Sequence, residues 1–111
     1  MTYSNKSYLL LCETLISSSE AKGKITLNHH FINDKNLLYF AISGFFKRID
    51  FHCLSDLELD ILEKAMHLNI VLLNNEISFK DRKIKCRDYV LSILFNKTEG
   101  NQSLNAGSIL C

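Results

Sequence analysis

The sequence contains no proline and only four glycines among 111 residues. Proline removes a backbone donor and breaks helices, and glycine marks forced turns, so their scarcity is typical of a helix-dominated fold. Long apolar runs are also missing. The longest, "NLLYFAISGFF", is broken by Ser43 and Gly44 and is shorter than the roughly 20 residues that a membrane-spanning helix needs. The early apolar run is interrupted by Glu13, so we expect no secretory signal and a cytoplasmic protein.

The charge is nearly balanced, with a formal net charge of +1 and 23% charged residues. No overall field therefore favours nucleic acid, a membrane or an acidic substrate. The length and the 47% apolar content suit one small domain. We predict a single helical domain over residues 1–96 and a polar, flexible C-terminal tail over residues 97–111.

Motifs for catalysis or metal binding are scarce. The four cysteines, which form no CxxC pair, are Cys12, Cys53, Cys86 and Cys111. The four histidines are His29, His30, His52 and His67, and they form neither an HExxH motif nor a pair four residues apart. There is no GxSxG motif and no Walker loop. We therefore predict no enzyme activity, cofactor, metal or small-molecule substrate. A metal site assembled across helices stays open, and the internal thiols are expected to pack as small hydrophobes.

Four amphipathic segments predict a small all-α four-helix bundle. The first runs from Asn5 to about Ser18 with an apolar stripe of Tyr8, Leu11, Cys12 and Leu15. The second begins at an N-cap on Asn33 or Asp34, and Phe31 or Ile32 is expected to form a hydrophobic staple with Leu37 or Leu38. Its apolar face is predicted to be Leu37, Leu38, Ala41, Ile42, Phe45 and Ile49, with Gly44 in mid-helix allowing close approach of a neighbour. Residues 24–32 are predicted to form an ordered loop, and a short strand stays open.

The last two helices have clearer start signals. "SDLE", Ser55 to Glu58, matches the capping box, and that helix is predicted to end near Leu72. "SFKD", Ser78 to Asp81, is a similar pattern before the fourth helix. The predicted stripe of the fourth helix is Ile84, Leu91, Leu94 and Phe95, with Val90 beside it.

Charges are segregated between these two helices. Asp56, Asp60 and Glu63 share one helix face, whereas the segment "KDRKIKCRD" opens the fourth helix with five basic residues. Two solvated faces are one interpretation, and a docking surface for a charged protein is another. A third hypothesis is a small DNA-binding regulator that uses the basic helix, through Lys80, Arg82, Lys83, Lys85 and Arg87. An immunity-type or chaperone-type protein with an unrelated partner is also open.

Two short motifs resemble the TomB/YmoB family of enteric bacteria, the modulators of Hha-type toxicity and biofilm formation. "LCETL" supplies Leu11, Cys12, Glu13 and Leu15, and "HHFIND" supplies His30, Phe31, Asn33 and Asp34. Family members have a Leu-Cys-Glu-x-Leu segment followed, after a similar gap, by a His-rich lead into Trp-Val-Asn-Asp. Phe31 stands where the family has tryptophan, and Lys35 stands where it has proline. The family is acidic, whereas this chain is near neutral.

The resemblance implies a non-enzymatic, antitoxin-like protein built of four helices. Its implied partner is a small Hha/YmoA-like protein, which itself associates with the nucleoid protein H-NS. Direct reading of DNA is not implied. The acidic residues Asp56, Asp60 and Glu63 become the expected partner-binding charges. Cys12 matches the family cysteine and is the candidate redox thiol, while a packing role in the apolar stripe is the competing interpretation.

Overall fold

The computed structural model describes residues 5–99, with side chains described through residue 96. This part of the chain forms four α-helices and no strand: α1 (Lys6–Ala21), α2 (Asn28–Ser43), α3 (Asp56–Asn74) and α4 (Phe79–Glu99). A short 3₁₀ helix, Phe51–Cys53, lies between α2 and α3. The prediction of a small all-α four-helix bundle is confirmed. Helix α4 continues three residues into the predicted tail, and the rest of that tail, residues 100–111, lies outside the described residues.

One hydrophobic core joins all four helices. Helix α1 packs chiefly against α3, and α2 packs chiefly against α4, while α3 contacts both α2 and α4. The residues that seal this core are almost fully buried, and each helix contributes to them: Leu11, Leu37, Leu38, Ala41, Leu62, Ala65, Met66, Cys86 and Val90. Burying each large aliphatic side chain contributes about 1.5–3 kcal/mol to folding. The predicted packing role is confirmed for Cys86 and is wrong for Cys53, which is exposed.

The start of α3 is the capping box that the sequence predicts. The Glu58 amide donates to the Ser55 hydroxyl at 3.2 Å, and the Ser55 amide donates to Oε1 of Glu58 at 2.9 Å. Each side chain thus satisfies an amide that the first helical turn leaves unpaired. The start of α4 is similar, because the Asp81 amide donates to the Ser78 hydroxyl at 3.3 Å.

The predicted start of α2 is wrong. The helix begins at Asn28, five or six residues before the expected N-cap at Asn33 or Asp34, so residues 28–32 are helical rather than loop or strand. The Leu27 amide donates to Nδ1 of His30 at 2.9 Å, which satisfies a free amide at the helix entry. Asp34 is buried one and a half turns inside the helix. The predicted staple is also absent at Ile32, which is exposed, whereas Phe31 packs partly against the core.

Gly44 ends α2 instead of lying in its middle. Its φ of +84° is left-handed, and its amide donates to the Phe40 carbonyl at 2.7 Å. Glycine takes this conformation at helix C-termini without steric cost. The expected close approach is real but involves a side chain, because a Cβ at Gly44 would lie 3.0 Å from Nη2 of Arg87. Phe45 therefore leaves the predicted apolar face and is exposed.

The buried face of α4 also differs from the prediction. Ile84, Leu91 and Phe95 are exposed, and Leu94 is the one member of the expected stripe that is buried. The inward positions recur every four residues: Arg82, Cys86, Val90 and Leu94. Hydrophobic periodicity places an arginine outside, whereas Arg82 is held inside by a charged partner. The buried face of α4 is therefore rotated relative to the predicted stripe.

Candidate functional site

The predicted acidic face lies on the first three turns of α3. Asp56 is exposed, and Asp60 and Glu63 are partly exposed. Oδ2 of Asp60 lies 3.0 Å from Nζ of Lys64, one turn later. Glu63 accepts a short hydrogen bond from the Ser7 hydroxyl of α1 and lies 3.5 Å from Nε2 of His67. The three carboxylates therefore share a face as expected, and a docking partner would compete with contacts inside the protein.

An apolar groove borders the same turns of α3. It has a volume of about 260 Å³ and lies between the start of α3 and the second half of α4. Its apolar lining comes from three helices: Ile42, Leu57, Ile61, Val90 and Leu94. Leu57 is 46% exposed, so the groove offers apolar surface to a partner while Val90 remains in the core. Leu57 thus belongs to this surface and not to the interior.

A buried polar cluster connects α2, α3 and α4 behind these surfaces. Nη1 of Arg82 donates to Oδ2 of Asp34 at 2.8 Å and to Oδ1 of Asn69 at 2.9 Å. Nδ2 of Asn69 donates to the same Asp34 oxygen at 2.8 Å. Each of the three side chains therefore contacts the other two. Buried charges need such pairing, because their desolvation is costly.

The two family-like motifs have mainly structural positions. Leu11 and Leu15 are core residues of α1, Glu13 is exposed, and Cys12 is partly buried. His30 caps α2, and Asp34 belongs to the buried cluster. Both motifs reach a cleft of about 240 Å³ at one end of the bundle, because it is lined by residues of each: Leu15 from the first motif and His30, Asn33 and Asp34 from the second.

The basic residues of α4 are largely directed into the protein. Arg82 is buried, and Nη1 of Arg87 donates to the Ala41 carbonyl at 3.1 Å near the end of α2. Nζ of Lys83 lies 5.3 Å from the ring centroids of both Phe40 and Phe46, which is cation–π geometry. The two other members of the predicted DNA-binding set, Lys80 and Lys85, are exposed. The structure thus does not present the five cations as one surface.

The candidate redox thiol Cys12 lies in a partly buried position. Burial raises the pKa of the Cys12 thiol above its ordinary value, and the hydrogen bond with Tyr8 and the charge of Lys35 only partly oppose this. Thiolate is the nucleophilic form, so these surroundings disfavour attack by Cys12. Its redox role stays a prediction.

The adjacent histidines do not form a chelating pair. Their ring centroids lie 4.1 Å apart with the rings tilted, and Nδ1 of His30 is occupied by the Leu27 amide. No group of three or more His, Cys, Asp or Glu side chains within the described residues is arranged to hold a metal ion. Helix capping by His30 thus explains the histidine that the motif contributes.

Sequence reasoning missed Asn69 and the inward role of Arg82. Asn69 falls on the apolar face of α3, one turn after Ala65 and Met66, where it is fully buried. A polar residue at a core position of a helix usually marks a buried hydrogen-bond network. The core position of Asn69 was therefore the signal for such a network, in which Asn69 bonds to Asp34 and Arg82.

Among the helices in the described part of the chain, none is long and apolar enough to cross a membrane. Comparisons with protein-family models, curated proteins and solved structures found no match to this chain.

Proposed function

We propose that the protein is a non-enzymatic, antitoxin-like regulator that acts in the cytoplasm by binding a small Hha/YmoA-type protein. Binding would attenuate the effect of that protein on gene expression and biofilm formation. The support is the resemblance of "LCETL" and "HHFIND" to the TomB/YmoB family, together with one surface. The observation that carries the proposal is that the turns of α3 that bear Asp56, Asp60 and Glu63 also bear Leu57 of the open apolar groove.

The two parts of this surface have complementary roles. Carboxylates on one helix face attract a basic partner and fix its orientation, which mainly increases the rate of association. An apolar groove accepts side chains from a partner helix and supplies burial that keeps the complex together. Leu57 of the groove is next to Asp56 in the chain and lies one turn from Asp60 on α3, so one small helical partner can contact both parts of the surface.

Direct DNA reading has less support. Arg82 is 6% exposed and bonded to Asp34, so it can reach the backbone of a DNA duplex only by leaving the core, and Arg87 only by leaving the carbonyls at the end of α2. Lys80 and Lys85 alone give a weak electrostatic footprint, since nonspecific affinity scales with the number of phosphates neutralised.

Charge reversal tests the acidic part of the surface. We expect the triple variant Asp56→Lys, Asp60→Lys and Glu63→Lys to lose most of its pull-down of a purified Hha/YmoA-type protein at moderate salt. The matched control reverses three exposed acids elsewhere and makes the same change in net charge: Glu20→Lys, Glu76→Lys and Asp88→Lys. Circular dichroism would verify that both variants are folded. Unchanged binding of the first variant, or equal loss in the two, would overturn the proposal.

A pair of leucine and valine substitutions on α3 tests the groove. Leu57 and Val71 are exposed by 46% and 53%, and Leu57 alone lines the groove. We expect Leu57→Ser to weaken partner binding by about tenfold, because it removes apolar contact of roughly 1–2 kcal/mol. Val71→Ser should leave the affinity unchanged. Titration calorimetry measures both, and equal affinities would exclude the groove from the interface.

A further inference from the structure

The cleft that both motifs reach lies where four helix ends meet. The C-terminal ends of α1 and α3 and the N-terminal ends of α2 and α4 surround its 240 Å³ volume. Cationic side chains outnumber the single carboxylate in its polar lining, which consists of Ser18, Ser19, Lys22, Lys24, His30, Asn33, Asp34 and Arg82. This volume is at the small end of ligand pockets, so a ligand of few atoms would fit it.

Arg82 provides a donor whose position in this cleft is fixed by its other hydrogen bonds. The residue is only 6% exposed, and two of its guanidinium nitrogens are occupied. Nε donates to the Ile77 carbonyl at 3.1 Å, and Nη1 donates to Asp34 and Asn69. Nη2 makes no hydrogen bond to any described residue. No side-chain atom of Arg82 is both buried and unpaired, so Nη2 is solvent-accessible and can donate a charge-assisted hydrogen bond to a ligand oxygen in the cleft that Arg82 lines.

His30 supplies a second donor with a defined tautomer. Its Nδ1 accepts the Leu27 amide, so the neutral imidazole carries its proton on Nε2. His30 lines the cleft, and Nε2–H is therefore a donor for a ligand there.

The charges around the cleft favour an anion. Lys22 and Lys24 are exposed at its edge, and Arg82 adds a third cation against the single carboxylate of Asp34. This leaves a surplus of two positive charges, while Oδ2 of Asp34 is already engaged by Arg82 and Asn69. Two helix N-termini and two helix C-termini border the cleft, so the fields of the helices largely offset one another and the side-chain cations determine its charge.

We propose that this cleft binds a small molecule bearing a phosphate group, held by Nη2 of Arg82 and Nε2 of His30 and neutralised by Lys22 and Lys24. A phosphate has three terminal oxygens and up to two charges, which match donors from several directions and the charge surplus. A carboxylate is planar and singly charged, so it would leave some of these donors without an acceptor and part of the positive charge without a counter-charge. The site does not depend on the proposed partner surface. Leu57 and Leu73, which mark the groove and the cleft, are separated by about 24 Å along α3.

Nuclear magnetic resonance titration of the full chain tests the site, with inorganic phosphate and glycerol 3-phosphate as probes. At ionic strength matched with sodium chloride, we expect saturable shifts of the Ser19, Lys24 and His30 amides and of the Arg82 guanidinium signals. Two charge-assisted contacts and the lysine field predict a Kd on the order of 1 mM. Acetate should bind at least about tenfold more weakly. Equal binding of acetate, or no saturation by either phosphate probe, would overturn the proposal.

Substitutions of lysines at the edge of the cleft test the site, because removing Arg82 would disturb the core. Lys22→Gln with Lys24→Gln should weaken phosphate binding about tenfold, the loss expected from two charge contacts of roughly 0.7 kcal/mol each. Lys47→Gln with Lys85→Gln removes two exposed lysines that do not line the cleft and makes the same change in net charge. This control should bind as the unchanged protein does. Equal weakening in the two double variants would show a general charge effect and refute a site in the cleft.

Discussion

Nη1 of Arg82 lies 2.8 Å from Oδ2 of Asp34, and both side chains are more than nine-tenths buried. The two residues are 48 positions apart in the chain, and they join α4 to α2. Asn69 of α3 bonds to both of them, so a single cluster fixes the relative positions of three helices. This relationship explains why Arg82 lies on the buried face of α4 and why Asp34 lies inside α2 instead of at its N-cap.

Asp34→Ala should be strongly destabilising. It leaves the Arg82 guanidinium buried without its carboxylate, and breaking a buried pair in this way costs about 3–5 kcal/mol. Urea denaturation followed by circular dichroism measures the change in the free energy of unfolding. Asp60→Ala is the control, because its partly exposed pair with Lys64 should contribute less than about 1 kcal/mol. Similar losses in the two variants would contradict the structural role of the buried pair.

Replacing both charges should cost less than removing one. The double variant Asp34→Leu with Arg82→Met leaves Asn69 without both side-chain partners but leaves no uncompensated charge in the interior, and an unpaired buried amide costs less than an unpaired buried charge. We expect it to unfold at a higher urea concentration than Asp34→Ala. A double variant less stable than Asp34→Ala would mean that the pair contributes a net attraction beyond avoiding an unpaired charge.

The parts of the fold that local rules govern could be predicted from the sequence. The capping box at Ser55 and Glu58 depends on four neighbouring residues, and the stripe of α1 depends on spacing alone, so both were found. The start of α2 and the face of α4 could not be predicted in this way. Short acidic residues favour the N-cap position, so local rules place Asp34 there, whereas its partner Arg82 is far away in the chain.

The candidate surfaces likewise include one that local sequence patterns predict and others that they do not. The shared face of Asp56, Asp60 and Glu63 follows from helical spacing and was predicted. The cleft at the end of the bundle arises from four helix ends that the sequence separates widely, so no local pattern indicates it. The basic segment of α4 was predicted as one patch, and it is divided because Arg82 and Arg87 bond to α2.

Gly44→Ala should destabilise the protein more than Gly23→Ala. Both glycines have left-handed φ values, +84° and +70°, so an alanine at either pays the same kind of backbone strain, about 1–2 kcal/mol. A Cβ at Gly44 would also lie 3.0 Å from Nη2 of Arg87, whereas a Cβ at Gly23 meets no atom within 4 Å. The difference between the two unfolding free energies therefore measures the contact with Arg87. Equal losses would show that this side chain moves away without cost.

Cys86 should make the protein sensitive to high pH. Burial raises the pKa of the Cys86 thiol from its ordinary 9.0 to about 12, while the nearby Arg82 charge opposes this shift. The folded state therefore holds the proton more tightly than the unfolded state. The stabilisation is complete below about pH 9 and is lost as the pH rises towards 12.

The measurement compares the unchanged protein with Cys86→Ala at pH 8 and pH 10.5, in the presence of a reductant. The advantage of the cysteine should decrease by roughly 2 kcal/mol between these pH values, because each pKa unit corresponds to 1.36 kcal/mol. Cys53→Ala, at an exposed position, is the control and should show a smaller change. An advantage that is independent of pH would contradict the raised pKa of Cys86.

Asp50 should suppress the reactivity of Cys53. The Cys53 thiol donates to Oδ2 of Asp50 at 3.5 Å, and this hydrogen bond, together with the negative charge, raises the pKa of the thiol. Asp50→Asn removes the charge but keeps an oxygen that can accept the His52 amide. The pKa of Cys53 should then fall, and its thiolate fraction at pH 8 should rise. We expect alkylation of Cys53 by iodoacetamide to become severalfold faster, because thiolate is the reacting form.

Peptide mass spectrometry resolves Cys53 from the other thiols in the same sample. Cys86 serves as the internal reference, since it is fully buried and should remain unmodified in the folded protein. Asp88→Asn, which removes an exposed acid on α4, should leave the Cys53 rate unchanged. If Cys53 were alkylated equally fast in Asp50→Asn and in the unchanged protein, access of the reagent, and not the Asp50 charge, would limit the reaction. A rate increase shared by Cys86 would instead indicate opening of the fold.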